Sequence, residues 1–182
     1  MSRLLQNYKE KTAPAMQAKF GYKNIMAVPR ISKVVINVGS GKADSDPKLK
    51  DRIQKDLAAV TGQRPAIKKA RKSISGFKVR EGMIVGLTST LRGKRMYDFL
   101  ERLISIALPR SRDFRGISTK SFDHKGSLNI GLREQIIFPE VSYESSKDIF
   151  SFQITVATTA KTKQEGIELL KFMGFPLTEA KI

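Results

Sequence analysis

The chain has 182 residues, 40% of them hydrophobic, with 34 lysines and arginines against 17 acids and a formal net charge of +17. That length and apolar content suffice for one ordinary domain with a real core, so disorder is not the default. No run approaches the roughly 18 apolar residues of a membrane span, and the N-terminus MSRLLQNYKEK lacks the apolar stretch of a signal peptide. Zero cysteines and one histidine leave neither a disulfide nor a zinc ligand set. The sequence predicts a soluble cytoplasmic protein with no metal and no cofactor.

The first helix is predicted from about Ser2 to Phe20, with Leu4, Leu5, Tyr8, Ala15 and Met16 as its apolar positions. Pro14 should kink or divide it. VPRISKVVINVG (28–39) alternates as a strand: Val34, Ile36 and Val38 share one face, and Lys33, Val35 and Asn37 the other. Asp46 then Pro47 reads as an N-cap with proline at the first helical position. Leu49, Ile53, Leu57 and Val60 face inward in that helix, and Gly62 ends it.

After a basic segment comes IVGLTSTLR (84–92), with Val85, Leu87 and Leu91 on one face and Gly86, Thr88, Thr90 and Arg92 on the other. A helix from Lys94 to Leu108 should bury Met96, Phe99, Leu100, Leu103 and Ile104, with Pro109 stopping it. SLNIGLREQIIF (127–138) sets Leu128, Ile130, Leu132 and Ile136 against Asn129, Arg133 and Gln135. FSFQITVATT (150–159) sets Phe150, Phe152, Ile154 and Val156 against Ser151, Gln153 and Thr155. Thr162 and Glu165 form a capping box for a last helix ending at Gly174.

Four strands that each carry one apolar and one polar face define an α+β fold. It is a single domain with a mostly antiparallel sheet, helices on one side and an open polar side. On the strands 31–38 and 84–92 the open side carries Lys33, Asn37, Thr88, Thr90 and Arg92. Cations suit phosphates, and amides and hydroxyls suit bases and sugar hydroxyls.

The charge is uneven. Residues 1–138 hold 29 cations and 11 acids, whereas residues 139–182 hold 5 and 6. An excess confined to one part points to a polyanion, nucleic acid ahead of a membrane surface, for which the basic amphipathic helix is missing. The densest stretch, KKARKSISGFKVREG (68–82), has six cations and one acid, Glu81. Catalysis finds no support. VGSGKAD (38–44) fails as a phosphate-binding loop because Ile36 and Ala43 stand where glycine and Ser or Thr are required. It fails as a dinucleotide fingerprint because Asp44 stands at the third glycine position. The lone His124, and Asp113, Asp123, Glu134 and Glu140, have no catalytic spacing.

Four long blocks carry a resemblance: GQRPAIKKARKSISGFKVREGMIVG (62–86), TLRGKRMYDFLERLI (90–104), ALPRSRDFRGIS (107–118) and GLREQIIFPE (131–140). Together with the strand from Lys33 to Gly39 and the terminal TTAKT…GFP, they resemble the large-subunit ribosomal protein family number five, in its bacterial branch, over almost the whole chain. FDHKGSLN (122–129) and the tail FPLTEAKI depart from the family pattern. The resemblance implies a place in the central protuberance of the large subunit, with 5S rRNA held on the open sheet face at Lys33, Asn37, Gln63, Thr90 and Arg92.

The resemblance also implies that the loop at about 72–82 reaches the elbow of P-site tRNA through Lys72, Ser73, Ser75, Phe77, Lys78 and Arg80. Ser73, Ser75 and Gly76 should keep that loop supple, and Ile74 and Phe77 either pin it or stack on RNA. Arg110, Arg112 and Arg115 exceed what a helix C-terminus needs. They suit a second contact, with large-subunit rRNA or a small-subunit neighbour, and the resemblance implies that the latter lies across an intersubunit bridge, beside neighbouring ribosomal proteins. The alternative reading is a nonspecific nucleic-acid-binding protein.

Overall fold

Each proline of the helical sequence is preceded by a π-turn, and neither ends its helix. The computed structural model describes residues 2–39, 47–112, 114–141 and 149–178. The first helix runs as α1 (Arg3–Asn7), a π-turn (Tyr8–Thr12) and α2 (Ala13–Phe20), ended by Gly21 at φ 68°. Then come β1 (Ile31–Gly39), α3 (Pro47–Thr61), β2 (Ala66–Lys69) and β3 (Ile84–Leu91). α4 (Gly93–Arg102) continues through a second π-turn (Leu103–Ala107) into α5 (Leu108–Arg110). β4 (Ile117–Ser118), β5 (Leu128–Leu132), β6 (Phe152–Thr158), α6 (Lys163–Phe172) and β7 (Leu177–Thr178) complete the chain.

Pro14 therefore divides the first helix as expected, but Pro109 does not stop the third: the helix runs one residue past it. The reason is the same at both sites. Proline lacks a backbone N–H and its ring clashes with the carbonyl four residues back. A widened turn just upstream, in which Ala13 N–H reaches Tyr8 O and Leu108 N–H reaches Leu103 O, shifts those carbonyls off the ring.

The fold is α+β. The main sheet has five strands in the order β2-β3-β1-β6-β5. β2 and β3 pair antiparallel with Ala66 opposite Thr88. Side-chain and backbone bonds give the same sense elsewhere: Arg30 with Thr159 and Ser32 with Ala157 across β1 and β6, Asn129 with Thr155 across β5 and β6. A separate parallel pair joins β4 to β7, with Ile117 N–H donating to Pro176 O at 2.8 Å.

The chain forms two compact units. One comprises Met1–Val34, Leu91–Ile130 and Thr155–Ile182, the other Val35–Thr90 and Gly131–Ile154. In the first, α1 packs on α4 and α2 on α6, burying Leu4, Met16, Val34, Leu91, Phe99, Leu100, Leu103, Val156 and Leu169. The spacing of Met96, Phe99, Leu100 and Leu103 gives α4 the expected apolar stripe. In the second unit, Ile53, Leu57 and Val60 of α3 are buried, as are Ile36, Val38, Leu87, Phe152 and Ile154 of the strands.

Several expectations change. Ile104, Leu5, Ala15 and Phe150 are only half-buried, and Val85 is 36% exposed although it shares its side with Leu87. The strand foreseen over 127–138 ends at Leu132, and a 3-10 turn (Gln135–Ile137) follows. There the alternation fails: Gln135 is buried and accepts from Phe150 N–H at 3.0 Å, and Ile137 and Phe138 go inward. The Asp46 cap and the glycine-containing turn at 40–44 lie outside the described residues. The last capping box is half as expected, because Thr162 Oγ1 accepts from Glu165 N–H while the Glu165 carboxylate takes Lys161 N–H at 2.8 Å.

The atypical FDHKG stretch is an ordered turn. Asp123 Oδ1 accepts from Lys125 N–H (3.0 Å) and Ser127 N–H (2.7 Å), and Gly126 turns at φ 72°. A Cβ on Gly126 would lie 2.9 Å from Gly166 Cα, so two glycines meet where this turn crosses α6.

Ser89 alternates with Leu87 and Leu91 on the buried side of β3, and its hydroxyl has no partner among the described residues. A hydroxyl buried without a partner opposes folding. Ser89→Ala should therefore leave stability unchanged or raise it by about 1 kcal/mol in urea unfolding. A clear loss would mean that the hydroxyl is satisfied after all.

Candidate nucleic-acid interface

In the second unit the polar side of β1 meets that of β3. Thr88 Oγ1 donates to Asn37 Oδ1 at 2.9 Å. That bond uses the amide's acceptor and fixes its plane, leaving the two Nδ2 hydrogens without a partner among the described residues, on an exposed side chain. The register puts Lys68 opposite Gly86 and Ala66 opposite Thr88, so Lys68 shares this polar side. Gly86 has a local reason: a Cβ there would come within 2.6 Å of Val38 O.

Gln63 is placed by the end of α3. Gly62 turns at φ 69°, and Thr61 Oγ1 sits 2.6 Å from Leu57 O and 2.9 Å from Gln63 O. The Gln63 amide then donates to Thr90 O at 3.1 Å. Gln63 thus ties a loop to β3, with its carbonyl oxygen left over, while the half-buried Thr90 keeps its own hydroxyl unbonded. The structure brings Asn37, Thr88, Gln63 and Thr90 together.

The other two predicted sheet residues belong to the first unit, Lys33 half-buried on β1 and Arg92 exposed at the N-cap of α4. Arg92, Lys94 and Arg95 crowd a helix start that has no acid in its first turn. Cations at the positive end of the helix dipole are disfavoured by roughly 0.3–1 kcal/mol each, so stability does not explain them. This unit also holds a pair that sequence reasoning passed over: Thr155 Oγ1 donates to Asn129 Oδ1 at 2.7 Å. It repeats the threonine–asparagine motif of Thr88 and Asn37, and the alternation of β5 and β6 carried the signal.

The loop between β2 and β3 is a hydrogen-bonded hairpin. Ala70 N–H donates to Met83 O (2.8 Å) and Gly82 N–H to Ala70 O (3.0 Å). Ile74 and Val79 form an antiparallel bridge around a 3-10 turn (Ser75–Phe77). Ser73 Oγ accepts from Glu81 N–H at 2.9 Å, and Lys78 takes a left-handed φ of 53°. Residues 71–78 are all exposed, Phe77 at 78%. Lys72, Lys78 and Arg80 form no ion pair with a described residue, whereas Lys19 and Glu168 do at 2.8 Å.

Arg110, Arg112 and Arg115 are exposed and likewise unpaired among the described residues. The Arg115 carbonyl accepts from Thr178 Oγ1 at 3.3 Å, beside the β4–β7 pairing.

No described helix is long and apolar enough to cross a membrane, and no group of His, Cys, Asp or Glu among the described residues could hold a metal ion. A groove of about 500 Å³ in the first unit is lined by Arg3, Gln6, Glu10, Lys11, Glu101 and Ser105 among others. Fold and surface define a basic α+β protein that displays cations without ion-pair partners among the described residues.

Residues 24–80 match the family described as Ribosomal protein L5, and residues 84–177 match the ribosomal L5P family C-terminus. The large ribosomal subunit protein uL5 of Halothermothrix orenii is 51% identical over 179 residues, covering 98% of this chain and 100% of that protein. Its counterpart in Syntrophomonas wolfei is 52% identical over 176 residues, covering 97% and 99%. The chain belongs to the ribosomal protein L5 family and is a structural constituent of the large ribosomal subunit.

The Gln63 tether gives a direct check. Gln63→Ala should cost the free protein about 0.5–1.5 kcal/mol in urea unfolding, the worth of one intramolecular hydrogen bond. Unchanged stability would show that the link to Thr90 carries no weight in the free protein.

Proposed function

We propose that the chain fixes 5S rRNA in the central protuberance through the polar side of its sheet and offers the 70–83 hairpin to P-site tRNA. The observation that carries the first part is the Thr88–Asn37 bond, which holds an amide with both donors unused on an exposed strand. An oriented donor pair reads base edges and ribose hydroxyls, where a lysine alone reads only charge. Lys33, Gln63, Thr90 and Arg92 complete the proposed set. The second part rests on the hairpin: an exposed Phe77 with Lys72, Lys78 and Arg80 unpaired around it suits an RNA that arrives and leaves, through stacking and phosphate contact. Ser73 and Ser75 serve the hairpin's shape. Arg110, Arg112 and Arg115 are read as a further contact with large-subunit rRNA or a protein across the subunit boundary.

The test is a titration of transcribed 5S rRNA, with an equal-length unrelated structured RNA as competitor, across several salt concentrations. Affinity should fall steeply with salt, as roughly five to eight phosphate contacts require, yet keep its preference for 5S rRNA. Loss of that preference would favour the nonspecific nucleic-acid binder. Asn37→Ala and Thr90→Ala should each weaken 5S binding by about 1–3 kcal/mol, because RNA groups would be left without partners. Unchanged affinity in both removes the sheet from the site. Replacing Lys72, Lys78 and Arg80 together by alanine should spare 5S affinity and impair tRNA-dependent steps in a translation assay. An equal loss of 5S affinity would instead make the hairpin part of the rRNA site.

A further inference from the structure

Between the first helix and β1 the chain presents a largely exposed apolar knob. Ile25 is 54% exposed and Met26 79%, the highest value among the large hydrophobic side chains described. In a frayed loop this would be ordinary, but here the backbone is held from both ends. Gln17 Nε2 donates to Tyr22 O at 3.1 Å, and Tyr8 Oη donates to Pro29 O at 3.1 Å. Burial, with Tyr97 beside it, raises the Tyr8 pKa, so the phenol remains a donor. Within the segment, Asn24 Oδ1 accepts from Met26 N–H at 2.8 Å, and Ala27 N–H returns to Asn24 O at 2.9 Å. Beyond it, Arg30 N–H donates to the Thr159 side-chain Oγ1 at 3.0 Å, and the Arg30 carbonyl accepts from Thr159 N–H at 2.9 Å. A turn capped and anchored in this way presents its side chains at little further entropic cost on binding.

Charge identifies the partner. From Lys11 to Ala43 the sequence contains no acid and six cations: Lys11, Lys19, Lys23, Arg30, Lys33 and Lys42. Lys23 and Arg30 bracket the knob, both exposed and without an ion pair to a described residue. An apolar pair between two free cations fits a surface that is apolar at its centre and anionic at its rim. The wide, shallow minor groove of an RNA helix, or an opened loop, offers this arrangement: ribose and base edges between phosphate rows. Methionine suits such a surface because its unbranched, polarisable side chain adapts to irregular shapes.

We propose that the Ile25–Met26 knob is an rRNA contact in its own right, with its two side chains packed on ribose and base edges and Lys23 and Arg30 on the flanking phosphates. It needs no part of the sheet-face reading, only the chain's place in the large subunit. The test puts the photoreactive residue p-benzoylphenylalanine at position 26 of the full chain, assembles it into large subunits in cells, and irradiates the purified subunits. The expected result is a covalent adduct with rRNA, mapped by reverse-transcription stops. Adducts with ribosomal proteins alone, or no adduct in subunits that contain the labelled chain, would overturn the proposal. Met26→Glu and Met26→Leu provide a second measurement that does not depend on the bulky label. Both should melt like the parent because the position is exposed. In competition with the parent chain, Met26→Glu should enter subunits roughly tenfold less well, whereas Met26→Leu should match the parent. Equal incorporation of Met26→Glu would also overturn the assignment.

Discussion

The register of the central strand is the constraint on which the rest depends. β1 lies between β3 and β6, and Val34, Ile36 and Val38 are fully buried along it. A slip of one residue would turn these three to water and drive Lys33 and Asn37 into the core. Each aliphatic side chain so exposed forfeits about 1.5–3 kcal/mol, and an unpaired buried lysine is worse. Once that register is set, Asn37 can only stand beside Thr88, and the polar side of the sheet follows without further instruction.

Against this well-determined frame, the placement of the cations runs contrary to local stability. Arg92, Lys94 and Arg95 gather at the positive end of α4, and Lys78 holds a left-handed backbone that favours glycine. None of them forms an ion pair with a described residue, although Lys19 shows that the fold can pair a lysine when structure calls for it. The chain's place as a constituent of the large ribosomal subunit gives these cations a setting beyond the fold itself.

The sequence made the architecture legible where periodicity is strict. β1, β6 and the stripe of α4 follow from alternation and from the spacing of Met96, Phe99, Leu100 and Leu103. It misled where a local device overrides the pattern. The π-turns that accommodate Pro14 and Pro109 leave no sequence signature, and the turn at Gln135–Ile137 interrupts an alternation that looked continuous. The short β4–β7 pairing joins segments sixty residues apart, beyond the reach of any local pattern. Of the candidate site, the residue types on the polar side were readable. Their wiring was not, because which amide hydrogen bonds to which hydroxyl depends on cross-strand register. The hairpin shows the same limit: nothing in the local sequence says that the Ser73 hydroxyl accepts from Glu81 N–H.

β2 has a consequence for the life of the protein before it meets its subunit. It is the outermost strand of the sheet, and all four of its residues are exposed. A newly made copy therefore shows an open row of peptide groups to every other copy, an invitation to stack edge to edge. Lys68 and Lys69 sit in that row, and two such edges brought together would set lysine against lysine. Like charges facing each other across such a pairing would oppose it, so the same lysines that add to the chain's basic surface also blunt its open edge.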